Sequence, residues 1–181
     1  MTYLFTLILI AMTTSEYTIV DFEKGVDLSR WRIVDDVVMG GRSDGNMSID
    51  DEGHGHYYGK VSLENNGGFS SLRYRPAKAI DVGSHTHIEV RVKGDGKRYQ
   101  LRVKNNANEP QSYIEYIATG TAWQTVQIPL REMYPTYRGR KLDMPDFAGE
   151  TIGELAFLIG NKLPQSFSLQ IDYVKLVTVG E

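Results

Sequence analysis

The sequence contains no cysteine among its 181 residues. This absence excludes a disulfide framework, a thiol nucleophile, an iron–sulfur cluster and a thiolate zinc site. The chain also has no excess of positive charge. It contains 20 Lys and Arg and 23 Asp and Glu, which gives a net charge of -3. General binding to a nucleic-acid backbone needs a positive excess. We therefore expect no nucleic-acid partner and no cysteine-based chemistry.

Long hydrophobic runs are scarce as well, and one stands at the start, from Tyr3 to Met12. It is shorter than the roughly 20 residues that cross a bilayer. Its length suits the apolar part of a signal peptide, with Ala11 and Thr13 to Ser15 as a cleavage region, although no Lys or Arg precedes it. An apolar first strand is the alternative. We expect residues 1–15 to be a signal or anchoring segment and residues 16–181 to form one domain. If the segment is a signal peptide the protein is exported or periplasmic, and otherwise it is cytoplasmic.

Sustained helical periodicity is missing too, whereas short alternating runs occur throughout the sequence. In the clearest run Ile88, Val90 and Val92 share one face and charged residues share the other. Glycines, of which there are 18, separate such runs. About ten short strands in one antiparallel domain predict an all-β fold, a two-sheet β-sandwich or jelly roll, since one open sheet would leave a face unprotected.

Two segments carry more specific expectations. The runs His87 to Lys93 and Arg98 to Lys104 flank Gly94-Asp95-Gly96, and this pattern predicts a hairpin with a basic outer face. The stretch from Tyr134 to Gly149, with two prolines and two glycines, is predicted to be the longest irregular loop. Long ordered loops on rigid sandwiches often carry function.

Signatures of enzymes are absent from the sequence. It has no nucleophile elbow, phosphate-binding loop, dinucleotide fingerprint or zinc-binding His-Glu-x-x-His motif. Asp35 and Asp36 are adjacent carboxylates, but neighbours on a strand point to opposite faces, and Asp is typical of turns. A glycan hydrolase would need two carboxyl groups about 5 to 10 Å apart in one pocket. We expect a non-enzymatic protein.

Metal ligands are sparse. The pairs His54/His56 and His85/His87 have the spacing of a shared strand face, but neither has an evident third ligand nearby. Glu23 and Asp172 are the candidates for a structural calcium site, if their strands meet at one sheet edge. We expect no other cofactor.

Two Gly-rich segments, Trp31 to Ser43 and Leu63 to Arg73, combine turn residues with directional donors. Tight turns explain both segments. Donors together with flat aromatic rings would also suit a polar ligand such as a sugar or a peptide. The candidate binding residues are Arg42, Asn65, Asn66, Arg73, Arg98, Tyr99, Tyr137 and Arg138.

Five motifs occur in an order that resembles the complex I intermediate-associated protein 30 family. They are Val38-Met39-Gly40-Gly41 within Trp31 to Ser43, Asn65-Asn66-Gly67-Gly68-Phe69, Lys93 to Tyr99, Trp123 with Ile128-Pro129-Leu130, and Tyr137-Arg138-Gly139-Arg140. The chain looks like a bacterial single-domain relative, and the resemblance covers about residues 17 to 179.

This resemblance implies a fold similar to galactose-binding-like jelly rolls and no established catalytic residues. Eukaryotic members are mitochondrial chaperones for the assembly of respiratory NADH:ubiquinone oxidoreductase. The implied function is a non-enzymatic binding module that holds a protein partner or assembly intermediate, such as subunits of a membrane complex. A carbohydrate-binding module with a glycan ligand is the alternative, and a glycan hydrolase ranks third.

Overall fold

The computed structural model describes residues 15–180, which form two packed antiparallel sheets and one small third sheet. The six-stranded sheet consists of β1 (Glu16–Asp21), β3 (Asp44–Ile49), β4 (Gly55–Val61), β7 (His87–Lys93), β10 (Gln124–Pro129) and β15 (Gln165–Val177). The seven-stranded sheet consists of β2 (Trp31–Asp35), β5 (Ser70–Tyr74), β8 (Arg98–Lys104), β9 (Ser112–Ala118), β11 (Tyr134–Tyr137), β12 (Arg140–Lys141) and β14 (Glu154–Ile159). The third pairs β6 (Ile80–Asp81) with β13 (Thr151–Ile152). Three short 3₁₀ turns span Asp36–Met39, Glu64–Asn66 and Leu130–Glu132.

The strand order shows how each sheet is assembled. The six-stranded sheet runs β10-β7-β15-β4-β3, with β1 also pairing with β15, and the seven-stranded sheet runs β12-β11-β9-β8-β14-β5-β2. This arrangement confirms the predicted all-β sandwich. Within residues 15–180, no helix is long and apolar enough to cross a membrane. The apolar run Tyr3 to Met12, predicted to be a signal or anchoring segment, lies outside the described residues.

The core lies between the two large sheets and follows the alternation in the sequence. Val90 and Val92 on one sheet, and Leu101 and Phe157 on the other, have no exposed surface and belong to one core cluster. Burying a side chain of this size stabilises the fold by about 1.5–3 kcal/mol. Because alternate residues on each strand face the core, the residues between them form two outer faces.

The predicted hairpin between β7 and β8 is wrong. β7 pairs with β10 and β15, whereas β8 pairs with β9 and β14, so the chain crosses from one sheet to the other at Gly94-Asp95-Gly96. The Asp95 carboxylate stabilises this crossing by accepting hydrogen bonds from the Tyr99 hydroxyl at 3.1 Å and the Ser168 backbone N–H at 3.0 Å. The two alternating runs therefore face each other across the core.

The predicted irregular loop from Tyr134 to Gly149 is only partly irregular. Residues Tyr134–Tyr137 and Arg140–Lys141 form the β11–β12 hairpin, which extends the seven-stranded sheet beyond β9. These strands are short and contain Pro135, so they lack the alternation by which strands are recognised. Residues 142–150 are irregular, and Phe147 among them is buried with its ring centroid 5.2 Å from that of Tyr113.

Candidate binding face

The outer face of the seven-stranded sheet carries an excess of cations. Strand register places Arg32, Arg73, Ala156 and Arg102 in one row, and Glu154 opposite Lys104 in the next. Glu154 is the carboxylate that lies among these cations, and Glu115 on β9 adds negative charge near Tyr134. We call the following set the cationic face: Arg32, Arg73, Arg75, Arg98, Arg102, Lys104, Lys141, Glu154, Gln100, Tyr116 and Tyr134.

Glu154 is the shared ion-pair partner of three arginines on the cationic face. Its side chain is only 4% exposed, and its carboxylate lies 2.6 Å from Arg75 Nε. The same carboxylate lies 3.6 Å from Arg32 Nη2 and 3.7 Å from Arg73 Nη1. One negative charge therefore serves three guanidinium groups. Such a carboxylate is stabilised by its partners, but it neutralises only part of their charge.

Arg102 has no carboxylate within ion-pair distance in the described chain. Its Nη1 donates to Gln100 Oε1 at 2.9 Å. Burial, together with the nearby charge of Arg73, lowers the pKa of Arg102 to about 10, and the opposing effect of Glu154 is smaller than that of Arg73. The group stays protonated at neutral pH. Arg102 is thus a charged, partly buried guanidinium group that uses one of its N–H donors in the hydrogen bond to Gln100.

Burial and nearby positive charges also lower the pKa values of two neighbours of Arg102, Arg73 and Lys104. Burial lowers the pKa of Arg73; Glu154 opposes this shift, while Arg32 and Arg75 add to it. Burial likewise lowers the pKa of Lys104, whose Nζ donates to the Glu109 backbone carbonyl oxygen. Positive groups that are desolvated together favour their neutral forms unless an anion compensates them. The cationic face therefore holds positive potential at the protein surface.

The aromatic rings of the cationic face are already covered on one side by cations. The Arg98 guanidinium carbon lies 4.0 Å from the Tyr116 ring centroid, and Gln100 Nε2 donates to the Tyr116 hydroxyl at 3.0 Å. Lys141 Nζ lies 4.9 Å from the Tyr134 ring centroid. Cation–π contacts of this kind stabilise the cations and occupy a ring face.

Arg73 and Arg98, two of the predicted binding residues, lie on the cationic face. Tyr137 and Arg138 lie at the tip of the β11–β12 hairpin, at one edge of the sheet, with the Arg138 guanidinium carbon 5.3 Å from the Tyr137 ring centroid. Both are exposed. Arg42 lies beyond the opposite edge, where it pairs with Glu64 at 3.0 Å. The eight predicted residues therefore do not form one site.

Tyr99, Asn65 and Asn66 have structural environments. Tyr99 has no exposed surface and its hydroxyl donates to Asp95, so it presents nothing to an external ligand. Asn65 and Asn66 adopt positive φ angles of 54° and 61°, a conformation that Asn tolerates in turns. Asn65 Nδ2 also donates to the Gly40 carbonyl oxygen at 2.9 Å. Their placement fits the turn interpretation of this segment.

The backbone segments that carry the candidate calcium ligands Glu23 and Asp172 lie close in space, because the Phe22 backbone N–H donates to the Asp172 carbonyl oxygen. The Asp172 carboxylate, however, lies 2.6 Å from Arg91 Nη1. Residues 15–180 contain no group of three or more His, Asp or Glu placed to hold a metal ion. The calcium site stays a prediction.

The His-x-His pairs have partners within the protein. His56 Nε2 lies 2.9 Å from Ser168 Oγ, and burial lowers the pKa of His56. His85 Nδ1 lies 2.7 Å from the Val82 carbonyl oxygen, and His87 Nδ1 lies 2.7 Å from Thr86 Oγ1. His54 Nδ1 lies 3.4 Å from the Asp50 carboxylate and 3.7 Å from that of Glu52.

The comparison with protein families is decisive. A family model described as Complex I intermediate-associated protein 30 matches residues 20–171. The chain belongs to this family. It is 23% identical over 179 residues to the mouse protein named "Complex I intermediate-associated protein 30, mitochondrial", covering 87% of this chain and 55% of that protein. This member of the complex I intermediate-associated protein 30 family thus spans about half the length of its mouse relative.

Solved structures show the fold of this family member. The family 11 carbohydrate-binding module of the cellulase Lic26A-Cel5E from Clostridium thermocellum matches with a TM-score of 0.64 at 16% identity, covering 92% of this chain and 96% of the module. The same module in complex with a β-1,3-1,4-mixed-linked tetrasaccharide gives 0.63 at 18% identity, with 92% and 97% covered. A family 29 carbohydrate-binding module gives 0.54 at 12% identity, with 91% and 92% covered. The shared feature is the β-sandwich.

Two motifs that suggest the complex I intermediate-associated protein 30 family meet at Asp36. The Asp36 carboxylate is buried and accepts hydrogen bonds from Ser43 Oγ at 2.6 Å and from the backbone N–H groups of Ser43, Gly68 and Phe69. Burial raises the pKa of Asp36, but these hydrogen bonds outweigh it and lower the pKa overall. A Cβ at Gly41 would lie 2.1 Å from this carboxylate. The Asp36 carboxylate therefore holds the two Gly-rich segments together by hydrogen bonds, which is a structural role.

Proposed function

We propose that this chain is a non-enzymatic binding module that holds a protein partner, an assembly intermediate, on its cationic face. The observation that carries the proposal is the set of guanidinium groups on a rigid sheet, three of which share the Glu154 carboxylate. Paired β-strands hold these donors in place, which reduces the ordering cost of binding. Membership of a family with a relative named for complex I intermediates supports a protein partner.

The surroundings of Glu154 support a binding role over hydrolysis. Acid–base cleavage of a glycoside uses two carboxyl groups flanking one bond. Glu154 is instead surrounded by Arg32, Arg73 and Arg75. The contacts of this carboxylate are therefore those of a buried ion-pair network.

Site-specific photo-crosslinking tests this proposal. Protein with p-benzoylphenylalanine in place of Tyr116 is irradiated in the native membrane fraction, and adducts are identified by mass spectrometry. The matched control carries the same group in place of Tyr58, an exposed tyrosine on the outer face of the other sheet. We expect one recurrent membrane-complex subunit to cross-link from Tyr116 and not from Tyr58. Equal adducts from both positions, or none from Tyr116, would refute the proposal.

A carbohydrate-binding module is the second candidate. Tyr116 and Tyr134 both project from this face beside the Gln100 amide, and sugar-binding sites combine aromatic rings with such polar groups. Calorimetric titration with the mixed-linked tetrasaccharide and a glycan array tests this alternative. Absence of binding above background would remove it.

A further inference from the structure

Positive charge on the cationic face exceeds what the protein itself neutralises. Arg32, Arg73 and Arg75 share Glu154, while Arg102 pairs with the neutral amide of Gln100. Withdrawing like charges from water together is unfavourable unless something compensates them. An anionic group arriving on this surface would supply that compensation. The face therefore has a chemical preference for negative ligands.

The geometry around Ala156 shows where such a group would sit. Ala156 lies in register between Arg73 on β5 and Arg102 on β8. Two strand spacings separate the backbones of these arginines by about 10 Å. Ala156 has only a methyl side chain and is 4% exposed, so longer neighbouring side chains already cover it and the two flanking arginines extend above this position. A carboxylate above Ala156 would lie within reach of both arginines.

Both arginines keep donors available for a ligand. Arg73 Nη1 is 3.7 Å from Glu154, which is ion-pair distance but beyond a good hydrogen bond, and its Nε is 3.4 Å from Ser71 Oγ. Arg102 donates from Nη1 to Gln100. A planar guanidinium offers a fork of N–H groups that matches a carboxylate in two parallel hydrogen bonds, which an ammonium group does not reproduce.

The rings on this surface favour a charged peptide over a sugar. Sugar recognition uses the faces of aromatic rings, but Arg98 covers one face of Tyr116 and Lys141 lies over Tyr134. A peptide with acidic side chains would instead use the charges directly. An extended peptide places alternate side chains on one side, about 7 Å apart, so successive acidic residues would meet different cations of the sheet.

We infer that the cationic face binds a carboxylate-rich, extended segment of a protein partner, with Arg73 and Arg102 gripping one carboxylate above Ala156. This inference rests on the proposed function and specifies the chemistry of the partner. The occupant is an acidic protein segment.

Fluorescence anisotropy with defined peptides tests the inference on the full chain. The probe is a labelled peptide that alternates Asp and Ser, and the matched peptide has Asn in place of Asp. We expect the acidic peptide to bind at least about tenfold more tightly than the amide peptide, with an affinity that falls as salt rises. An oligogalacturonate with the same number of carboxylates is the carbohydrate arm, and we expect it to bind more weakly than the acidic peptide.

Variants separate a built site from general charge attraction. Arg102→Gln should weaken the acidic peptide about tenfold, and Arg102→Lys should also weaken it because the charge remains but the fork is lost. Lys24→Gln is the control, since Lys24 is exposed in the turn after β1, next to Gly53 in the turn between β3 and β4 of the six-stranded sheet. It should change the affinity less than about twofold, as expected for a remote charge. Thermal unfolding of each variant shows that the fold is intact.

Several outcomes would overturn the inference. These are equal binding of the acidic and amide peptides, equal loss from Arg102→Gln and Lys24→Gln, and tighter binding of the oligogalacturonate. Failure here is distinguishable from failure of the proposed function. If peptides do not bind but the subunit still cross-links from Tyr116, the partner is not acidic and the binding module stands. If the subunit also fails to cross-link, the module itself is refuted.

Discussion

The two outer faces of this sandwich differ in how their charges are compensated. On the six-stranded sheet Arg91 Nη1 lies 2.6 Å from Asp172, and the Tyr173 hydroxyl donates to Glu89 at 2.9 Å. Gln127 Nε2 donates to the same Glu89 carboxylate at 2.8 Å. On the seven-stranded sheet Glu154 serves three arginines and Arg102 has no carboxylate partner in the described chain.

This difference in charge compensation indicates which of the two outer faces is the better candidate for a binding surface. Both faces come from the same alternation of buried and outward residues, so the backbone treats them alike. What differs is the supply of carboxylates. A face whose charges are paired within the protein has little electrostatic need for a ligand, whereas surplus, partly buried cations are stabilised when a negative ligand binds.

The largest expected effect that would test this comparison is the loss of Glu154. Glu154→Gln leaves Arg32, Arg73 and Arg75 without their shared carboxylate; because these side chains are 26–47% exposed, solvent screens part of the loss, which should amount to about 2–3 kcal/mol. We expect the free energy of unfolding, measured by urea denaturation, to fall by this amount. The slope of the transition should be unchanged because the surface exposed on unfolding is the same.

The matched control for Glu154→Gln is Asp172→Asn on the other face. The Arg91–Asp172 pair has side chains 42% and 19% exposed, so solvent screens it and its loss should cost about 1 kcal/mol. Equal losses from the two variants would mean that the two faces do not differ in the way described.

A second prediction sharpens the comparison by contrasting two buried carboxylates. Glu154 is held by charges, whereas Asp36 is held by a hydroxyl and backbone N–H groups. Asp36→Asn should lower the free energy of unfolding at neutral pH by about 2 kcal/mol through lost hydrogen bonds to a charged group. High salt should reduce the cost of Glu154→Gln and leave that of Asp36→Asn unchanged.

The pH dependence of Asp36 has a defined sign. Its pKa in the folded state is lowered from the usual 3.8. A lowered folded pKa means that the stabilisation is complete above the unfolded pKa and is lost as the pH falls below about 4. We therefore expect wild-type stability to fall more steeply than that of Asp36→Asn in acid, as measured by urea unfolding at successive pH values. If the unfolding free energies of wild type and Asp36→Asn fell in parallel as the pH is lowered, the proposed structural role of the Asp36 carboxylate would be contradicted.

Strands were predictable from the sequence, whereas their partners were not. The alternation of Ile88, Val90 and Val92 correctly indicates which side of β7 is buried. Alternation is a property of one strand, however, and contains no information on its neighbour. Gly94-Asp95-Gly96 fits a tight hairpin and a crossing between sheets equally well, so the pairing of β7 with β10 and β15 needed the structure.

The cationic face was predictable only along β8. The alternation of Arg98, Gln100, Arg102 and Lys104 correctly indicates which side chains of β8 point outward, but the predicted basic face of one hairpin is divided between two sheets because β7 lies in the other sheet. Glu154 and Arg32 reach the same surface from strands distant in sequence, and no local signal links them. Side chains that meet through register across four strands are beyond the reach of motif reasoning.

The smallest expected effect is the most direct test of the comparison, because it predicts opposite signs on the two faces. Arg102→Met replaces an uncompensated, largely buried cation with an apolar side chain of similar length, which should raise the free energy of unfolding by about 1 kcal/mol. Arg91→Met on the other face removes a partner of Asp172 and should lower it by about 1 kcal/mol. Arg102→Met should also abolish binding of the acidic peptide, as expected of a residue retained for function at a cost in stability. Urea denaturation and fluorescence anisotropy measure both effects, and a loss of stability in Arg102→Met would show that its charge is already compensated within the protein.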